Sequence, residues 1–260
     1  MISDIPEIDI KKRPKEISEM GFIKSMREGN TGVGFTLETI MGIKENNAGE
    51  PDFTYKGMPF ELKGQREDAS SNVTLITKTP HWYPLSEREI IEKFGYQDIK
   101  GRQALKITLK ATGDFNPKGF RLEFDEDNDR LNIVHKKGGI VCYFLISELM
   151  SKLKTKLFEN LLLIIAERKK RGTNEYFHYK KAILLTKLTE DKFKEMLRKG
   201  LIVWEFRADI RERTRGKGDF FVRDHGPGFR LNRRHFDKLY EKGEIILDVD
   251  NIQQKSLEYF

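Results

Sequence analysis

Glu61-Leu62-Lys63 closes a stretch, residues 31–63, that leaves this chain few folds to choose from. Residues i and i+2 of a strand project from the same face. A strand over residues 55–63 therefore sets the Glu61 carboxylate beside the Lys63 ammonium and turns Leu62 into a core. Nine positions before Glu61 stands Asp52, preceded by Pro51. Two acids and a lysine held this way need a rigid, half-covered sheet. Their hard oxygens suit Mg²⁺, which takes one or two carboxylates and keeps water and phosphate as its other ligands. Lys63 then orients or deprotonates a water that attacks phosphorus. The pattern points to phosphodiester hydrolysis.

Acid-x-Lys alone carries little weight in a chain that is 34% charged. It recurs at Asp9-Ile10-Lys11, Asp98-Ile99-Lys100 and Glu190-Asp191-Lys192, where solvated charge pairs on surface elements are expected. Context separates the copy at Glu61. Gly57-Met58-Pro59 reads as a turn leading into its strand. Upstream, Thr31-Gly32-Val33-Gly34 leads into a short helix over residues 35–41 that carries Glu38, a third acid for the same site. Gly32 and Gly34 allow the backbone to approach a neighbour closely.

Several of these motifs occur together in one known group. Gly32-x-Gly34-x-x-Leu37-Glu38, Gly42, Pro51-Asp52-Phe53 and Phe60-Glu61-Leu62-Lys63 resemble the MutH-like branch of the PD-(D/E)xK nucleases. Gln65-Arg66-Glu67, the run from Thr74 to Pro80, and Arg223-Asp224-His225-Gly226 with Phe229-Arg230 resemble the MvaI/BcnI type of restriction endonuclease. The resemblance implies an α/β (mixed α+β) restriction-endonuclease-like fold, with a central mixed sheet flanked by helices and two lobes around a DNA cleft. It also implies a monomer that cuts one strand per binding event at a short CC/GG-flanked site, leaving 5′-phosphate and 3′-hydroxyl ends. A cognate DNA methyltransferase is the implied genetic partner.

Bulk properties agree with a protein that handles double-stranded DNA. The 260 residues carry a formal net charge of +7, and the pI of about 9.2 lies in the nucleic-acid-binding range. The charge is unevenly spread. Residues 207–234 hold eight Arg and one Lys against four acids, a net +5. Arg neutralises phosphates, and its planar fork also makes paired hydrogen bonds to guanine O6 and N7. Arg211, Arg213, Arg215, Arg223, His225 and Arg230 are thus candidate DNA contacts, with Asp224 able to accept from cytosine N4 or to orient its neighbours. Arg66 and Lys78, downstream of the catalytic strand, are expected on the DNA backbone. The plainer expectation for the Arg-rich segment is a solvated hairpin making phosphate contacts only.

The opening MISDIPEIDIKKR is acidic and mixed, so no secretion signal is expected there. The longest apolar runs, residues 140–146 and 161–166, fall far short of a membrane helix. The single Cys142 sits within the first run and reads as a buried strand residue. A prokaryotic cytoplasm suits such a chain.

Periodicity and capping signals predict a mixed order of elements. Residues 75–77 read as a short strand beside the catalytic one. Ser86-x-x-Glu89 is a capping box for a helix ending near Gly95. Strands follow over 104–110, 119–124, 130–135 and 139–146, then a helix from Ser147 towards Phe158 and a buried strand over 160–167. Thr189 caps a helix that ends before Gly200, residues 202–207 and 220–223 read as strands, and Asn232 opens a last helix towards Gly243. Glu175-Tyr176-Phe177-His178 reads as a strand edge or turn rather than a second metal site. The whole chain, 1–260, is expected to form one endonuclease domain, with a catalytic lobe (about 1–170) and a DNA-recognition lobe (about 171–260).

The leading expectation is a Mg²⁺-dependent, sequence-specific endonuclease, with Mn²⁺ able to substitute. Asp52 and Glu61 hold the metal, Lys63 positions the water, and Glu38 assists through a water or an indirect contact. A MutH-like nicking enzyme of mismatch repair and a catalytically silent DNA-binding protein are the alternatives; the first needs partners to cut, the second never cuts. An RNA-directed nuclease is disfavoured, for want of an aromatic RNA-binding strand.

Overall fold

The computed structural model describes residues 5–44, 50–213 and 218–251. The chain opens with α1 (Arg13–Glu19), β1 (Ile23–Lys24), α2 (Gly32–Met41), β2 (Phe53–Tyr55), β3 (Met58–Arg66) and β4 (Asn72–Thr77). Next come α3 (Glu87–Phe94), β5 (Tyr96–Gln97), β6 (Gln103–Leu109), β7 (Phe120–Asp125), β8 (Arg130–His135) and β9 (Gly139–Leu145). They are followed by α4 (Ile146–Leu157), β10 (Asn160–Arg171), β11 (Asn174–Thr186), α5 (Glu190–Arg198) and β12 (Ile202–Glu212). The last strands are β13 (Phe220–Asp224), β14 (Gly228–Asn232) and β15 (Lys242–Asp248). No helix among the described residues is long and apolar enough to cross a membrane.

The fold is mixed α+β, as expected, but its two compact units do not follow the chain in order. One gathers Met1–Ser71, Lys154–Lys192 and Arg233–Phe260; the other gathers Asn72–Leu153 and Phe193–Asn232. A division at about residue 170 falls inside β10. Sequence order hid this because strands far apart in the chain complete each sheet.

The first unit is built on a mixed sheet in the order β1-β11-β10-β3-β2, with β15 added to β11. β10 lies parallel to β3 and antiparallel to β11, with Leu161 opposite Glu61 and Leu163 opposite Lys63. Its run from Leu161 to Ile164 is buried throughout, as a central strand covered on both faces must be. β2 and β3 form a hairpin over Lys56-Gly57, both at positive φ (53° and 73°), the geometry of a two-residue primed turn. The turn thus comes one position earlier than Gly57-Met58-Pro59. Phe53 and Phe60, paired across the hairpin, stack at 5.2 Å in the core.

α2 covers β3 with Val33, Leu37 and Met41, all buried. It comes close because β3 carries Gly64 there: a Cβ at that position would lie 3.1 Å from the Val33 carbonyl and 3.2 Å from the Gly34 Cα. The buried Tyr179 hydroxyl of β11 donates to the same carbonyl at 2.8 Å, pinning the first turn of α2.

The second unit holds an antiparallel sheet, β4-β14-β12-β6-β5, with β13 on β12, and a three-stranded sheet β7-β8-β9. β4 therefore joins β14 rather than the catalytic strand, contrary to the sequence expectation. Its Leu75 and Ile76 are fully buried, and proximity in sequence does not choose a strand's partner. The capping box at Ser86 is present in full, with Glu89 returning to the Ser86 backbone. Trp204 and Phe206 stack at 5.5 Å, and Phe144 and Phe229 join them in the core.

Two further expectations change. The region after Asn232 forms only a short 3-10 turn, Arg233–Leu239, and then becomes β15. Its isoleucines complete the edge beside β11, so pairing overrides helical tendency. The stretch around Glu175 is part of the longest strand, β11. Glu175 there is paired with Arg168 at 3.3 Å, and His178 Nε2 lies 3.0 Å from the Ser18 carbonyl.

Candidate active site and a basic sheet face

The residues singled out on β3 do converge. Asp52 stands just before β2, and its backbone N–H donates to the Phe60 carbonyl at 2.9 Å. Its carboxylate Oδ2 accepts from the Leu62 N–H at 2.7 Å. Asp52 is thus tied to the Glu61–Leu62 peptide, a contact that the hairpin makes possible. On the strand face itself, Lys63 Nζ donates to Glu61 Oε1. The Glu61 side chain is 13% exposed and that of Lys63 36%, so the acid is sunk and the ammonium partly open. The other acid-x-Lys copies are different: Asp9 and Asp98 accept backbone N–H groups in turns, and Glu190 starts α5.

Burial pushes the Asp52 carboxyl above its ordinary range, although the Leu62 N–H and the Lys63 charge oppose it. Burial does the same to Glu61; Lys63 pulls it back, while the charges of Asp52 and Glu38 push it further up. Glu38, half-buried on α2, is thus near enough for its charge to be felt at Glu61. The Asp52 charge pushes Glu61 up; a hard cation would relieve that repulsion, and the two carboxylates are its chemically suited ligands. No cluster of three or more His, Cys, Asp or Glu positioned for a metal occurs among the described residues.

The Arg-rich segment takes a form that its sequence did not reveal. Cross-strand partners share a face, and the register of the second unit's sheet opposes Arg223 to Asp209 and Arg230 to Val203. It also opposes Lys106 to Arg207. Arg207, Arg211, Arg223, Arg230 and Lys106 accordingly lie on one face, while Trp204 and Phe206 point into the core on the other. Asp209, whose side chain is 5% exposed, braces this face. Its carboxylate takes two hydrogen bonds from Arg211 and lies 3.5 Å from Arg102 and 3.6 Å from His225 Nε2. The hydrogen bonds from Arg211 hold the Asp209 carboxyl below its usual range.

The other candidates are placed as follows. Arg230 Nε is 3.3 Å from Glu205, and Arg213 is 2.8 Å from Asp219 and lies over the Phe221 ring. Arg223 is exposed, with no ion pair among the described residues. Asp224 accepts from the Gly226 N–H at 3.2 Å. Arg215 lies outside the described residues. Lys78 is paired with Glu148 at 2.7 Å, and the same carboxylate takes His81 at 3.0 Å. Arg66, in the first unit, is 3.7 Å from Asp68. Cys142 is buried, and burial raises its thiol far above the usual range.

Asp209, Arg102 and Lys106 were missed in the sequence. The alternation in Ala104-Leu105-Lys106-Ile107 marks Lys106 as outward-facing. No local signal marks Asp209, since its three partners come from β12, a turn and a loop.

Comparison with known proteins gives a consistent picture. The sequence model of the MvaI/BcnI restriction endonuclease family matches residues 11–240. A search of curated proteins by sequence finds no match. Among solved structures, restriction endonuclease MvaI in complex with cognate DNA is similar with a TM-score of 0.64 and 25% identity, covering 92% of this chain and 97% of that one. MvaI in the absence of DNA is similar with a TM-score of 0.59 and 26% identity, covering 92% and 96%.

Proposed function

Since the chain belongs to the MvaI/BcnI restriction endonuclease family and is a type II site-specific deoxyribonuclease, we propose that Asp52, Glu61 and Lys63 carry out its Mg²⁺-dependent hydrolysis of DNA. The observation that supports this most is the sunken Asp52–Glu61 pair with Lys63 bonded beside it on one strand. Asp52 and Glu61 would hold the ion, with Mn²⁺ able to replace it. The ion, when bound, supplies polarisation of the phosphoryl oxygen and a more acidic water.

The chain's own residues do the rest. Lys63, as an ammonium, donates to the attacking water oxygen and offsets negative charge gathering at phosphorus. Glu38 acts through a water or through its charge at Glu61. The Leu62 N–H fixes Asp52 so that the two carboxylates stay together. Water oxygen bonds to phosphorus as the bond to the 3′ oxygen breaks; the water gives up a proton to solvent and the leaving 3′ oxygen takes one from solvent, leaving a 5′-phosphate and a 3′-hydroxyl.

Recognition falls to the basic sheet face of the second unit. Arg207, Arg211, Arg223 and Arg230 can place planar forks on guanine edges, and the major groove admits β-structure. Arg213, Arg215, Lys78 and Arg66 take phosphates, which position the duplex without reading it. Asp224 and His225 belong with the reading loop. A short CC/GG-flanked site, a monomeric enzyme, a cytoplasmic location and a methyltransferase protecting host DNA complete this proposal. It rests on the Arg-rich face and on MvaI, which was solved with cognate DNA.

Plasmid digestion by the purified protein tests it, with Mg²⁺ or with EDTA. Discrete Mg²⁺-dependent fragments with 5′-phosphate ends, absent for Asp52→Ala and Lys63→Ala, are the expected outcome. Nicking that appears only when repair proteins are added would favour a MutH-like nickase. DNA binding without any cutting would mean a silent binder.

A further inference from the structure

The first unit holds a second basic feature, a recess of about 700 Å³. Three separate segments line it: the loop between β1 and α2, the end of β3 at Arg66, and the β10–β11 hairpin. Lys24, Arg27, Arg66, Arg168 and Lys170 contribute cations, against the two lining acids Glu28 and Glu175. Apart from Met26, no apolar side chain among the described residues lines it.

Some of these cations are held in place and others are open. Arg168 is fixed from two sides, by Asp68 and by Glu175 at 3.3 Å. The Arg27 guanidinium lies 3.7 Å over the Phe35 ring. Lys24 is exposed, with no ion pair among the described residues, and Lys170, its side chain 62% exposed, lies 3.6 Å from the Glu175 carboxylate that also holds Arg168. Fixed guanidiniums next to solvent-exposed ammonium groups, with polar walls, suit a ligand that carries several spaced anions rather than a single ring to be enclosed.

We propose that this recess is a phosphodiester-binding site that holds the DNA backbone beyond the bases being read and cut. The inference rests on the endonuclease function proposed above. Arg66 lies five residues beyond Glu61 on the same strand, about 16 Å along it at roughly 3.3 Å per residue. That odd step turns it to the face opposite Glu61 and Lys63, so the recess takes backbone apart from the phosphate being cut. Contacts of this kind add affinity and no sequence information, so the site would lengthen the footprint of the enzyme without narrowing its specificity.

The test uses the full chain, wild type and a Lys24→Gln/Lys170→Gln double variant, with Ca²⁺ in place of Mg²⁺. Binding is measured across a salt series on two duplexes, one with long flanks around the site and one trimmed close to it. The wild type is expected to bind the long duplex more tightly. The variant should lose that advantage, with its salt slope on the long duplex falling by about 1.8, since each phosphate contact contributes roughly 0.9. On the trimmed duplex the two proteins should bind alike. An equal loss on both duplexes, or no loss on the long one, would overturn the inference. A wild type that cuts its site and ignores flank length would overturn this inference alone; one that binds no duplex would overturn the proposed function with it.

Discussion

The carboxylates of the two units stand in opposite electrostatic settings. Asp52 and Glu61 are sunk together, with the Lys63 ammonium bonded to Glu61, and burial raises both. Asp209 is just as sheltered, yet it is lowered, because Arg211 donates twice to it and Arg102 and His225 stand close by. In the first arrangement two buried carboxylates repel, which suits it to recruit a cation. The second is saturated and uses its acid to hold guanidiniums still. The same side chain chemistry serves metal capture in one place and side-chain positioning in the other, and the number of nearby cations decides which.

The sharpest way to break this comparison is to remove the cation bonded to Glu61. Lys63→Ala should lower cleavage by on the order of 10²–10⁴-fold, measured on plasmid at saturating Mg²⁺, while DNA binding in a gel shift survives. Asp52→Ala should act similarly, and EDTA should abolish wild-type cutting. Retained cutting by either variant would remove these residues from the chemistry.

The second unit should respond in binding rather than in turnover. Asp209→Asn keeps the shape but removes the charge that braces Arg211, and Arg223→Ala removes an exposed fork. Each should weaken cognate binding about 10–100-fold, the size of one good base contact, with a smaller loss on nonspecific DNA. Equal losses on both DNAs would reduce the sheet face to phosphate contacts.

Gly64→Ala probes how α2 is seated. The added methyl would meet the Val33 carbonyl and the Gly34 Cα, so a loss of about 1–3 kcal/mol is expected from overpacking. It should be seen as a lower Tm, together with reduced turnover as Glu38 shifts. An unchanged Tm would show that the two elements have slack.

The smallest effect concerns Glu87 in the second unit. Burial, with Asp224 nearby, raises its carboxyl from 4.5 to about 7, and its Oε1 is buried without a hydrogen bond. An acid raised on folding holds its proton more firmly in the folded state. Its ionisation therefore costs stability progressively from about pH 4.5 to about pH 7 and fully above. Glu87→Gln should stabilise the protein above pH 7 by about 1 kcal/mol, once solvent screening is allowed for, and should do nothing below pH 4.5. Equal stabilisation at both pH values would point to packing rather than charge.

Local rules carried the sequence a long way at particular residues. The strand period placed Glu61 and Lys63 on one face, and the two are hydrogen-bonded there. Ser86 and Glu89 formed their capping box, and the apolar run from Leu161 became a buried central strand. Each of these depends on residues within a few positions of one another, so the chain carries the whole cause locally.

Long-range pairing was not legible in the same way. β4 adjoins β3 in sequence yet pairs with β14, and β15 formed where a helix was expected, because β11 had an edge to fill. The two units are each assembled from discontinuous segments, and no local signal announces which segment returns to which sheet. By itself the sequence determined the acids, the lysine beside Glu61, the Arg-rich segment and most element types. Only the tertiary structure decided that Asp52 binds the Leu62 N–H, that Asp209 gathers Arg102, Arg211 and His225, and that five cations from three segments share one recess. The physical reason is that these contacts join residues whose separation along the chain is closed only by sheet register, and register is set by the packing of the whole unit.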